Sequence, residues 1–286
     1  MDNRLHMRVY ATEQEGAKGL LGEAVKIISQ CDIDYVIIGG WIPLLFYSSI
    51  YPHPGSFDVD LLLNDKTTSV EKMQTAVRMF KENGYLFSAK NKFQLHKALN
   101  ILDDQILFHV DFLHRRYAPD QEQGIFINWN SAMSISGPGT DIIFLDNERN
   151  AREISFDLPD NTTESVRINF ASEIGFIGAK GRSLDVPKRI RDSYDIFLVI
   201  CQTKNYKELL LKSQYYYHNK LYFKTSIDNI FEFFTQGDKY GNNGIKNTKR
   251  YLEEYKPSLK YISMIDDLDK FISDKVCGFI KKVMQR

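Results

Sequence analysis

Three aspartates and a pair of glycines are the residues of this chain best placed to do chemistry. Asp58 and Asp60 stand two apart in FDVDLLL, residues 57–63. In a strand successive side chains alternate between faces, so both carboxylates point the same way while Val59 and Leu61 point the other. Two like charges held that close repel unless a cation, a proton or a basic side chain compensates them. Hard carboxylate oxygens suit Mg²⁺ or Mn²⁺ accompanying an NTP. The plainer alternative is a strand whose polar face is merely solvated. Upstream, Gly39 and Gly40 close a short apolar run, residues 33–38, that reads as a core strand. Lacking Cβ, they let the backbone approach a ligand closely, and the helix they open offers its first N–H groups to an anion such as a triphosphate. Ser56 precedes Asp58 by two residues, shares its face and could bond a phosphate oxygen.

A third carboxylate lies downstream. Residues 91–100 and 105–113 are two alternating runs around Asp103 and Asp104, the pattern of a hairpin. Phe108, Val110 and Phe112 then face the core, and His109, Asp111 and Leu113 the opposite side, where Asp111 could complete the cluster. Further on, Lys180 and the run Arg189 to Ile196 supply charge. Lys188 with Asp192 and Arg191 with Asp195 are each four apart, so ordinary helical ion pairs are one reading of both aspartates. A snorkelling surface lysine is the corresponding reading of Lys180.

Taken together, Gly-Gly, Ser56-x-Asp58-Val59-Asp60 and a later strand with Asp111 resemble the nucleotidyltransferase superfamily that shares the DNA polymerase β palm. Lys180, Arg182, Arg189 and Arg191-Asp192-x-x-Asp195 resemble the corresponding region of the AbiEii family of abortive-infection nucleotidyltransferase toxins. The resemblance covers residues 33 to 200 or so. It implies a catalytic set of Asp58, Asp60, Asp111, Lys180 and Asp192, with Asp58, Asp60 and Asp111 as the metal ligands. It also implies NTP contacts from Gly39, Gly40, Trp41, Ser56, Lys180, Arg189 and Asp195. Trp41 stands where the family has a small or hydroxyl residue, and the stretch from Trp41 to Phe57 is longer than usual. The implied reaction moves NMP from an NTP to an acceptor hydroxyl. A tRNA end is one acceptor and a small molecule such as an aminoglycoside another; an inactive nucleotide-binding module is the third reading. A cognate antitoxin is the implied protein partner.

Composition bounds these readings. The chain has 286 residues, enough for two lobes, and three cysteines without the spacing of a zinc site or disulfide framework, which points to a reducing cytoplasm. The N-terminus is polar, and no apolar run of about 18 residues suggests a membrane span. Net charge is zero but unevenly spread: residues 1–199 carry 21 Lys and Arg against 27 Asp and Glu, residues 200–286 carry 16 against 10. In that basic last third, Tyr215, Tyr216, Tyr217, Tyr222 and Phe223 interleave with Lys212, Lys220 and Lys224. Such a mixture can attract phosphates and stack bases, or be a helical core with solvated lysines outside it.

The elements needed to position these residues follow the same periodicities. Helices are expected over 14–31 and 66–83, and strands over 33–38, 57–63, 105–113, 131–136, 141–146, 152–157 and 165–170, with a turn at Asn161 to Thr163. From about 172 the spacing is helical apart from a Gly/Asn/Lys loop at 237–249, and Pro187 suits a helical first turn. The expected fold is α+β: a nucleotidyltransferase palm with a mixed sheet over 1–171, then a mainly helical lobe over 172–286 that contributes Lys180 and Asp192 to a cleft.

Overall fold

The structure, a computed structural model, describes residues 7–64, 66–91, 93–113, 148–184, 190–237, 243–255 and 260–285. The expected strands at 131–136 and 141–146, and Pro187 and Arg189, lie outside them. The chain forms two compact units, Met1–Trp41 with Gly55–Ala171, and Ile42–Pro54 with Ser172–Arg286.

The first unit is a mixed sheet with helices. In chain order its elements are β1 (Val9–Tyr10), α1 (Glu13–Gln30), β2 (Tyr35–Ile38), the start of α2 (Trp41–Phe46), β3 (Asp58–Leu63), α3 (Val70–Glu82), β4 (Leu86–Phe87), β5 (Gln94–Ile101), β6 (Asp104–Leu113), β7 (Arg149–Asp157) and β8 (Thr163–Ala171). The strands order as β1-β5-β6-β3-β2-β8-β7, with β4 on β5. β3 pairs antiparallel to β2 and parallel to β6, and β5 and β6 form the expected hairpin.

Local chemistry explains the helices. Thr12 and Glu15 close a capping box on α1, and Ser69 caps α3 through the Lys72 N–H. The apolar faces of α1 (Leu20, Leu21, Ala24, Ile28) and α3 (Met73, Val77, Phe80) are fully buried, as are Val59, Val110 and Phe112 of the sheet. Phe80 meets Phe112 edge to face at 5.4 Å. Burying a side chain of this size contributes about 1.5–3 kcal/mol. One polar pair enters this interior: Lys97 of β5 donates to both carboxylate oxygens of Glu23 of α1, at 2.8 and 2.6 Å. Since neighbours along a strand alternate, a core face carrying Phe108, Val110 and Phe112 leaves His109 and Asp111 on the opposite one.

The second unit is helical: α4 (Glu173–Ser183), α5 (Ile190–Gln202), α6 (Tyr206–Asn219), α7 (Leu221–Thr235), α8 (Gly244–Tyr255), α9 (Lys260–Ser263) and α10 (Leu268–Met284). α4 and α7 approach closely because Gly181 has no Cβ; one there would lie 2.5 Å from the Ser226 carbonyl oxygen. Two expectations are corrected. The 237–249 loop gives way to α8 at Gly244, where the Asn243 side chain accepts the Ile245 N–H at 2.9 Å. The apolar spacing over 262–285 does not run as one helix, because Asp267 caps α10 through the Lys270 N–H and so starts a new one. No helix among the described residues is long and apolar enough to cross a membrane.

Segment Ile42–Pro54 is stapled into this helical unit by α5. Gln202 accepts the Ile50 N–H at 2.7 Å and donates to the carbonyls of Tyr47 and Tyr51. Tyr194 donates its hydroxyl to the Pro52 carbonyl at 2.7 Å.

Candidate functional site

In the first unit, strand register sets out two rows of polar side chains across β3, β6 and β5. Asp60 stands opposite Asp111, which stands opposite Gln94; Asp58 stands opposite His109, which stands opposite His96. Paired residues share a face, so all six lie on the side of the sheet away from α1 and α3. The expected carboxylates Asp58, Asp60 and Asp111 are therefore brought together. His109, expected on this face with Asp111, comes beside Asp58, and Gln94 and His96 join from β5; the sequence does not reveal the β3–β6 pairing or the β5–β6 register that place them.

Each aspartate is positioned differently. Gly39 adopts φ +82, and a Cβ there would lie 2.3 Å from Asp60 Oδ2, so the glycine is what allows Asp60 to lie against the backbone. Gly40 is buried beside it. Trp41 is not at the surface: it is 1% exposed, and its indole N–H donates to the Asp58 carbonyl at 2.7 Å, anchoring the first residue of β3. Gln94 donates to Asp111 Oδ1 at 2.8 Å. His109 Nε2 lies 4.0 Å from Asp58 Oδ2, and its ring centroid 5.8 Å from that of His96.

The ionised form of Asp111 is disfavoured on this face. Burial is the main reason that the Asp111 carboxyl sits above its ordinary value; the Gln94 bond and His109 pull it back, and Asp58 pushes it up again. Burial, helped by His109, lowers His96. Just before β3, Gln14 of α1 holds the Ser56 backbone by both polar groups, accepting its N–H at 2.9 Å and donating to its carbonyl at 3.2 Å. Ser56 Oγ is buried with no hydrogen-bond partner.

These residues fit a divalent cation in kind. Three carboxylates on one face, one of them destabilised in its ionised form, are hard donors with negative charge to be offset. Among the described residues no three His, Cys, Asp or Glu side chains are drawn tightly enough together to hold an ion unaided. Mg²⁺ commonly takes one or two carboxylates and completes its shell with water and substrate phosphate, so a closed protein cage is not required.

The second unit gathers the other expected residues. Lys180 of α4 is 7% exposed and donates to Asp192 Oδ1 of α5 at 2.5 Å; its ammonium lies 3.0 Å from Asp195 Oδ2. That second distance makes an ion pair without hydrogen-bond geometry, since Asp195 Oδ2 has no hydrogen-bond partner. Ser183 donates to Asp192 Oδ2 at 2.7 Å, and Arg191 Nε stands 3.6 Å from Asp195 Oδ2. His53, from the segment stapled by Gln202, meets Asp195 Oδ1 at 3.1 Å. Burial alone would lower Lys180 and raise Asp195, yet their mutual attraction wins: Lys180 is pushed up to about 12 and Asp195 held well below the ordinary carboxylate range. His53 had no sequence signal, being distant from α5 along the chain.

The aromatic and basic residues of α6 and α7 divide. Tyr216 and Phe223 are core, Tyr215 and Tyr222 exposed. Lys212 and Lys224 already pair with Glu208 and Asp228, at 3.3 and 2.6 Å.

No protein-family model matches the chain, and a comparison with curated proteins finds no match. Among solved structures, an antigenic nucleotidyltransferase-like protein from Paracoccidioides brasiliensis is similar at 14% identity and a TM-score of 0.39, over 79% of this chain and 90% of that one. A likeness so distant carries no argument about this chain.

Proposed function

We propose that the chain is a metal-dependent nucleotidyltransferase that moves NMP from an NTP to an acceptor hydroxyl. The supporting observation is the register that sets Asp60 beside Asp111, with Asp58 on the same face and Gly39 packed under Asp60. In this reading the acceptor oxygen attacks the α-phosphorus in line, its proton passes to a carboxylate, and pyrophosphate leaves with the electrons of the broken P–O bond. Asp111 suits the proton, because burial raises its basicity. Gly39 and Gly40 admit the phosphates, and Ser56 Oγ offers a buried hydroxyl without a protein partner. Mg²⁺ or Mn²⁺ held by Asp58, Asp60 and Asp111 would supply positive charge against the triphosphate oxygens.

Resemblance to the AbiEii family adds the biology: a toxin of a toxin–antitoxin or phage-defence pair, with an RNA end such as that of tRNA as acceptor and a cognate antitoxin as partner. A small cationic acceptor is the second reading, favoured by the acid excess of residues 1–199 and by the ion-paired state of Lys212 and Lys224. Purified protein incubated with each α-labelled NTP, Mg²⁺ and total bacterial RNA, beside Asp58→Ala, tests both. Label on RNA, absent in the variant, supports an RNA acceptor. Label on an added aminoglycoside alone selects the small molecule. No transfer to either refutes the enzyme and leaves a nucleotide-binding module.

A further inference from the structure

The orientation of Asp111 calls for an explanation, because something must fix it against a burial that disfavours its charge. Gln94 stands directly opposite it in the β5–β6 pairing and is itself 8% exposed. Its side-chain N–H reaches Asp111 Oδ1 at 2.8 Å, and its carbonyl oxygen accepts from the Asn91 amide at 3.2 Å. These bonds admit one amide orientation: an ionised carboxylate only accepts, so Gln94 must turn its NH₂ to Asp111, and Asn91 donates to the oxygen that remains. A flipped Gln94 would set oxygen against oxygen at Asp111 and NH₂ against NH₂ at Asn91. With Oδ1 so engaged, Asp111 Oδ2 takes no hydrogen bond among the described residues.

We infer that Gln94, oriented by Asn91, is a positioning residue that holds Asp111 with Oδ2 presented to a divalent cation. The inference rests on the reading above in one respect, that Asp111 is a cation ligand. Partners that hydrogen-bond a ligating carboxylate typically carry 10–100-fold in metal affinity, because they fix its direction and spare the ion the cost of ordering it. Gln94→Leu keeps the buried bulk and removes the donor. Asn91→Ala leaves Gln94 in place and removes only what orients it.

The test is a calorimetric titration of the full chain with Mn²⁺ alone, alongside thermal unfolding of each variant. Gln94→Leu is expected to weaken Mn²⁺ binding by about 10–100-fold, and Asn91→Ala to weaken it by less, with little change in Tm. A purely structural Gln94, serving only the β5–β6 pairing, would lower Tm in Gln94→Leu and leave the Mn²⁺ Kd of both variants at the wild-type value; that result overturns the inference. A wild type that binds no Mn²⁺ overturns it as well, and nucleotidyl transfer then stands or falls on the labelling experiment. Transfer failing while Mn²⁺ binding responds to Gln94 would keep the positioning role and remove the reaction.

Discussion

Gly39→Ala separates the stability of the first unit from the geometry of its carboxylates. The added methyl would meet Asp60 Oδ2 at 2.3 Å, against an ordinary carbon contact near 3.5 Å, so the oxygen must retreat by roughly an ångström. The backbone pays separately, since a left-handed conformation costs a residue with a Cβ about 1–2 kcal/mol. For a unit of this size that lowers Tm by about 2–8 °C. Gly84→Ala is the control: its φ is +83, close to that of Gly39, yet nothing lies within 4 Å of the position its Cβ would take. Both variants should lose the backbone increment in urea unfolding, with Gly39→Ala losing more by the cost of displacing Asp60. Only Gly39→Ala should lose nucleotidyl transfer, by about 100-fold, the scale set by an ångström of misplacement in a reacting group. Equal transfer by the two variants would refute the argument that Gly39 exists to accommodate Asp60.

Trp41→Phe keeps the buried ring but strips the donor from the Asp58 carbonyl, and urea unfolding should show a loss of about 1–3 kcal/mol. Gln202→Ala removes the acceptor of the Ile50 N–H and should cost a similar amount, about 1–3 kcal/mol, read by urea unfolding and by faster proteolysis within Ile42–Pro54. Lys180→Met leaves Asp192 and Asp195 buried without their common cation and should cost about 3–5 kcal/mol at neutral pH. The sign with pH is fixed by the depressed Asp195: its stabilisation is present above the unfolded value near 4 and is lost as pH falls toward the lower folded value. The gap between wild type and Lys180→Met should therefore narrow below about pH 4. It should also narrow at the alkaline end, as Lys180, ordinarily near 10.4, loses its proton on approaching pH 12 in the wild type. A gap constant from pH 3 to 8 would show that the ion pair is not what the substitution removes.

What the sequence made legible was what alternation and turn chemistry encode. FDVDLLL announced β3 and the shared face of Asp58 and Asp60, and the two runs around Asp103 announced β5 and β6. The parity of Phe108, Val110 and Phe112 then put Asp111 on the polar side. Pairing between distant strands carries no such mark. Nothing in residues 57–63 names β6 as a parallel neighbour, so His109 beside Asp58 and Gln94 beside Asp111 had to come from the register. Short-range chemistry also misled where two patterns competed. Helical spacing ran through Asp266 and Asp267, but a carboxylate able to accept a free N–H starts a helix more readily than it continues one.

The same distinction bears on Lys180. Four-residue spacing offered Lys188 and Arg191 as the partners of Asp192 and Asp195, and for Arg191 a 3.6 Å contact exists. Lys188 lies outside the described residues, and Lys180 meets both aspartates, at 2.5 and 3.0 Å, across two helices. Burial explains why that arrangement persists: two carboxylates taken out of water need compensation at short range, and a buried ammonium needs them equally. Among the described residues, Lys180 and Arg191 stand against Asp192 and Asp195. A phosphate contact from Lys180 must therefore compete with two carboxylates already in place. Such a lysine acts as part of a cluster, and replacing it tests the cluster's integrity before it tests any contact with a nucleotide.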